Sequence, residues 1–319
     1  MGAGVPREIP RVLTEYASHR TGHITIDVIN STTTHRAALN PVTMLGDELP
    51  PLRRPNFLAI VTLHVLADYL NRDPEIRPDG FIVEGPTAGG HSSPPRGKVA
   101  LDEAGDPIYG PRDNADLEKI ARVGLPFWLA GGFASPEKVA EARAAGAAGV
   151  QTGTLFALAD ESGLTQDLRS QLHAELDAGT LVVRNDPRAS PTGFPFKVAQ
   201  LPGTLSEEPV YQERERICDL GYLRMPVERE DKSITYRCPS EPLTPYLRKG
   251  GTEEETVGRK CLCNALMANI GLGQLRKDGY QEQPAITLGQ DFDSARELAA
   301  RYPGGWPAKA VVDWLLSGA

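Results

Sequence analysis

The chain has 319 residues, 40% of them hydrophobic, and its 34 Lys and Arg against 42 Asp and Glu leave a net charge of −8. That length and apolar content allow one large globular domain, or a domain with a substantial appendage, around a real core. The acidic balance, with no basic run longer than Arg53-Arg54, speaks against a nucleic-acid surface, and no stretch approaches the roughly 18 to 20 apolar residues of a membrane span.

The opening MGAGVPREIP lacks the basic-then-apolar layout of a signal peptide, so a cytoplasmic location is expected, and Pro6 stands where a myristoylation motif needs Ser or Thr. Helical spacing predicts a helix over 8–20, and ITIDVIN (24–30) reads as a strand. From residue 57 short β-branched or aromatic runs alternate with helical patterns, the layout of βα units on a parallel sheet. FLAIVT (57–62) leads into the helix of HVLADYLNR. GFIVEG (80–85) leads through a Gly-rich turn and a long polar loop into DNADLEKIARVG, a helix that Asp113 or Asn114 can cap. PFWLAGG (126–132) leads into SPEKVAEARAAG, with Ser135 as cap, Pro136 at the first helical position and Gly146 as stop. AGVQTGT (148–154) is a further strand. Beyond Thr180, LVVRND is strand-like, SPTGFPFKV is turn-rich, and from about 204 the chain is charged and irregular until two helices near 258–276 and 307–316. The domain boundary falls near 185: residues 1–185 form a partial barrel, and 186–319 an α-rich C-terminal extension covering the barrel mouth. An eight-stranded (β/α) barrel takes about 250 residues, and only four or five of its strands are found. The expected fold is therefore α/β, a TIM-type barrel incomplete at its N-terminus. Gly2-Ala3-Gly4 reads as the end of a strand, as in a truncated chain.

Three stretches carry chemistry. In EGPTAGGH (84–91) a strand ends in a small-residue turn that delivers His91 to the face where barrel enzymes build active sites; glycines at 85, 89 and 90 let a flat or anionic ligand approach the backbone. An imidazole there can take a proton from an acidic carbon at neutral pH, although a loop histidine bonded to nearby backbone is the commoner occurrence. In WLAGGFASPEKV (128–139) Gly131 and Gly132 lead into a helix, and in VQTGTLF (150–156) Gly153 and Thr154 end the next strand. Glycines at two successive strand ends suit a phosphate held by backbone amides.

EGPTAGGH, LAGGF and GVQTGT, in this order, resemble the flavin-binding half of the nitronate monooxygenase (2-nitropropane dioxygenase) family, and SPTGFPFKV (190–198) resembles the segment that follows it. The resemblance runs from about 57 to 198. It implies FMN as cofactor and oxidation of nitronates or nitroalkanes with dioxygen. His91 matches the family's general base; Gly131, Gly132, Gly153 and Thr154 match the residues holding the FMN phosphate; Gln151 matches a residue near the flavin. Ala88, Gly89 and Gly90 would lie beside the flavin ring or the substrate. Two other readings stay open: an NAD(P)H-dependent flavin reductase of enoyl or quinone reductase type, and a non-catalytic truncated barrel. A homo-oligomeric state also stays open.

Cys218, Cys238, Cys261 and Cys263 all lie in the last third. Zinc sites usually pair Cys-x₂₋₄-Cys motifs, so one Cys-x-Cys with scattered partners is expected to supply buried thiols, with no metal ligands assigned. Arg259 and Lys260 beside them read as a solvated face.

Overall fold

The computed structural model describes residues 7–318; Gly2-Ala3-Gly4 and Pro6 lie outside the described residues. The strands are β1 (Gly22–Ile26), β2 (His35–Leu39), β3 (Leu58–Val61), β4 (Gly80–Glu84), β5 (Phe127–Ala130), β6 (Gly149–Gln151), β7 (Val183–Asp186), β8 (Phe196–Ala199), β9 (Met225–Glu228) and β10 (Ile234–Arg237).

The fold is α/β around a parallel sheet. β3, β4, β5 and β6 pair in parallel with consecutive strands as neighbours. The helices His64–Asn71, Leu117–Arg122 and Pro136–Ala144 make the crossovers. β4 is buried along GFIV, as expected of a strand covered on both faces. Its neighbours contribute Ala59, Val61, Phe127 and Leu129 to one apolar cluster with Ala67, Leu70 and Ile120 of the crossover helices. Pro136–Ala144 starts as its sequence dictates: the Ser135 hydroxyl accepts from the Lys138 amide at 3.2 Å, Pro136 opens the helix, and Gly146 follows it with φ +89°.

Several elements differ from expectation. The strand predicted at 24–30 is β1, and it pairs antiparallel with β2 in a separate hairpin, so it adds nothing to the parallel sheet. LVVRND supplies β7, which pairs antiparallel with β8. β8 itself begins inside the stretch read as turn-rich, and all four of its residues are buried. Leu117–Arg122 is capped by Asp116, whose carboxylate accepts from the Lys119 amide at 3.1 Å; Asp113 instead closes a short turn by accepting from the Gly110 amide.

The largest apolar cluster crosses residue 185. It joins Val139, Leu155, Leu172 and Leu176 to Ile286, Leu288, Leu298, Trp306, Val311 and Trp314. The last two helices, Asp293–Arg301 and Ala308–Leu316, therefore share one core with the helices that follow β5 and β6.

Candidate functional site

Beyond the C-terminal ends of β4, β5 and β6 lies a cavity of about 380 Å³, within the range of roughly 300 to 1,000 Å³ that takes small ligands and cofactors. Ala88, Gly89, Gly90, Gly131, Gly132, Gln151, Gly153 and Thr154 all line it. The structure thus brings together three loops that are separated in sequence.

Two glycines show why small residues stand here. Gly131 has φ +82°, and a Cβ on it would lie 3.0 Å from both the Ala88 amide nitrogen and the Gly85 carbonyl oxygen; the turn after β5 is packed directly on the turn after β4. A Cβ on Gly89 would meet the Leu288 carbonyl carbon at 2.9 Å. This second contact exposes a wall that the sequence did not announce, residues 287–291. The Gly289 amide donates to the Thr154 hydroxyl at 3.0 Å, the Gly90 amide donates to the Thr287 hydroxyl at 2.8 Å, and the Gln290 amide donates to the Thr87 carbonyl at 2.9 Å.

His91 stands apart from this set. It does not line the cavity among the described residues. Its Nε2 lies 2.7 Å from the Ser190 hydroxyl, its ring meets Phe196 edge-on at 4.8 Å, and its backbone bridges to Phe196. Burial lowers its pKa, which keeps the imidazole neutral at pH 7. Arg259 and Lys260, expected on a solvated face, instead clamp the loop that carries Ser190. The Arg259 guanidinium donates to the carbonyls of Ser190 (2.6 Å) and Arg188 (3.0 Å). The Lys260 amide donates to the Ala189 carbonyl at 2.8 Å, and its ammonium lies 3.6 Å from Asp186. Lys260 is buried, its ammonium 4.9 Å from the centroid of the Tyr211 ring.

Two ionisable residues of these motifs, Glu84 and Lys197, acquire their surroundings only from the fold. Glu84 lines the cavity, and burial pushes its carboxyl up to about 7 against the pull of Lys197. Lys197, on β8, is fully buried; its ammonium donates to the Pro86 carbonyl and the Ser92 hydroxyl, each at 2.8 Å, and burial lowers it to about 8. A lysine between Phe196 and Val198 is the signal that could have found it, since a charge inside an apolar strand needs a partner. Among the described residues no Lys or Arg lines the cavity, whereas Asp291 does, its Oδ2 3.3 Å from where a Gly132 Cβ would stand. Any phosphate here depends on backbone amides.

A family profile described as nitronate monooxygenase matches residues 52–191, so the resemblance carried by EGPTAGGH, LAGGF and GVQTGT is shown over that span. Across 121 residues the chain is 32% identical to 5-hydroxy-7a-methyl-1-oxo-octahydro-1H-indene-4-carboxyl-CoA dehydrogenase of Mycobacterium tuberculosis, covering 38% of this chain and 29% of that protein. Among solved structures, FabK from Thermotoga maritima is 19% identical with a TM-score of 0.43, over 87% of this chain and 62% of that one. Nitroalkane oxidase from Streptomyces ansochromogenes is 20% identical with a TM-score of 0.42, over 82% and 56%. The chain spans less than a third of the curated relative and under two thirds of either solved chain.

Proposed function

We propose that this chain, with a nitronate monooxygenase domain at residues 52–191, is the FMN-binding part of an oxidoreductase acting on nitronates or similarly acidic carbon compounds, with dioxygen as co-substrate. The observation that carries the reading is the convergence of glycines from three successive strand ends on one cavity of cofactor size.

The residues present suit a flavin in two respects. A Cβ at Gly131 or Gly89 would strike the backbone of the neighbouring wall, so glycine keeps the cavity-lining turns closely packed, and the amides of Gly131, Gly132, Gly153 and Thr154 offer uncharged donors to a phosphate. FMN, when bound, supplies a two-electron acceptor. Gln151 and the Ala88–Gly90 turn would flank its ring. His91 is the base in this reading. With its Nε2 proton donated to Ser190, Nδ1 carries the lone pair that takes a proton from carbon, and the lowered pKa keeps that lone pair free at neutral pH.

The test is the visible absorption spectrum of the purified chain after incubation with FMN and removal of excess. Wild type should retain about one flavin per chain. Gly132→Asp, which sets a second carboxylate beside Asp291 in the phosphate region, should weaken retention at least tenfold, roughly 1.4 kcal/mol. Equal retention by both proteins, or none by wild type, defeats the proposal. His91 stands off the cavity wall, which favours the flavin reductase reading, where no carbon acid is deprotonated. Bleaching of bound flavin by NADPH without nitronate would establish that alternative.

A further inference from the structure

Glu84 is the one residue common to the linings of two cavities, the larger of about 380 Å³ and a smaller one of about 20 Å³, room for about a single water. Its place follows from β4. It is the last residue of that strand, in register with Ala130 of β5, which also lines the larger cavity. The four residues before it are buried, so the strand end is the first point at which a side chain of β4 reaches a cavity.

No partner neutralises this carboxyl in direct contact. Among the described residues it makes no hydrogen bond, and the polar groups that face it are committed elsewhere. The Lys197 ammonium, from β8, donates to the Pro86 carbonyl and the Ser92 hydroxyl, each at 2.8 Å. In the lining of the smaller cavity, the Arg96 guanidinium donates to the Thr62 hydroxyl at 3.3 Å, the Tyr109 hydroxyl donates to the Ser93 carbonyl at 2.8 Å, and the Asp113 carboxylate accepts from the amides of Arg96 and Gly110, each at 2.7 Å. In the larger cavity the other charged lining residue is Asp291, a second carboxylate. A carboxyl enclosed in this way is more stable as the uncharged acid, and the uncharged acid is a hydrogen-bond donor.

That donor fits one step of the reaction proposed above, on which this inference rests. When a nitroalkane gives its α-proton to the base, His91 in that reading, the C–H bond breaks, its electron pair forms the C=N bond, and negative charge comes to rest on the two nitro oxygens. Donors held where charge develops lower the barrier. We propose that Glu84, as the protonated acid, is a further catalytic residue that donates a hydrogen bond to the nitro oxygens of the substrate. It gives up no proton in this step; it holds the charge that the departing proton leaves behind. The carboxyl keeps its proton up to about pH 7, and burial holds His91 neutral there, so both groups are in their working forms just below neutrality.

The experiment compares wild type with Glu84→Gln, which keeps a donor and cannot ionise, and Glu84→Ala, which has no donor. Nitrate, a planar anion with the N–O geometry of a nitro group, is titrated calorimetrically against the chain with and without FMN. Wild-type affinity should fall about tenfold between about pH 6 and about pH 8, as a group with a pKa of about 7 ionises. Glu84→Gln should bind nitrate equally at both, and Glu84→Ala weakly at both. In the flavin-loaded chain, nitroalkane turnover should show the same alkaline fall in wild type and none in Glu84→Gln, and Glu84→Ala should lose on the order of 100-fold in kcat just below neutrality. Wild-type nitrate affinity that is unchanged across this range overturns the proposal without recourse to a variant, as does an alkaline fall that persists in Glu84→Gln. A nitrate titration that depends on Glu84 in a chain that retains no flavin supports the donor and defeats the flavin reading, so the two failures are told apart.

Discussion

Glu84 ends β4 at the cavity, and Lys197 reaches toward it from β8 across more than a hundred residues of sequence. Burial disfavours the charged form of both, and their mutual attraction recovers only part of that cost. For Glu84 the folded pKa of about 7 exceeds the unfolded value, so its contribution to stability is complete below about pH 4.5 and is lost as pH rises through 7. Glu84→Gln should therefore remove about 3 kcal/mol of pH dependence between those limits, read as the difference between wild-type and variant urea-unfolding curves at pH 4.5 and 8. Parallel curves for the two proteins would contradict this. The glycines of the site were legible because a strand ending in small residues is a local signal. The His91–Ser190 bond, which spans 99 residues, has no local signal at all.

The βα units of residues 57–157 were readable because their strands are short apolar runs and their helices carry local caps such as Ser135. β8 was misread because Pro191, Gly193 and Pro195 dominate its approach, whereas its strand character comes from burial between β7 and residues 284–288, where Ala199 donates to the Ile286 carbonyl at 2.8 Å. Arg259 and Lys260 were misread for a related reason, since charged residues count as surface until a loop with unpaired carbonyls is laid against them. The short helix Thr154–Ala157 draws support from the far end of the chain: Trp306 is fully buried and its indole N–H donates to the Leu155 carbonyl at 2.9 Å. Trp306→Ala should cost about 3 to 5 kcal/mol in chemical denaturation and weaken flavin retention through Thr154. A loss below about 1 kcal/mol would show that this end of the chain does not support the site.

Ten of the twenty-one buried residues in the largest core cluster lie beyond residue 285. A chain ending at residue 283 should therefore lose its cooperative unfolding transition and bind an apolar dye; a truncated chain that unfolds at the wild-type midpoint would refute the shared core. Among the described residues no helix is long and apolar enough to cross a membrane. The order of strands and helices over residues 57–157, the glycine turns and the family resemblance they carry were all encoded locally, in period, capping and motif, and could be read without coordinates. Two features depended on the folded chain: the wall that residues 287–291 add to the cavity, and the burial of Lys197 near Glu84. Each joins residues far apart in sequence, and such contacts arise from packing and from satisfying buried polar groups, which leave no periodic trace along the chain.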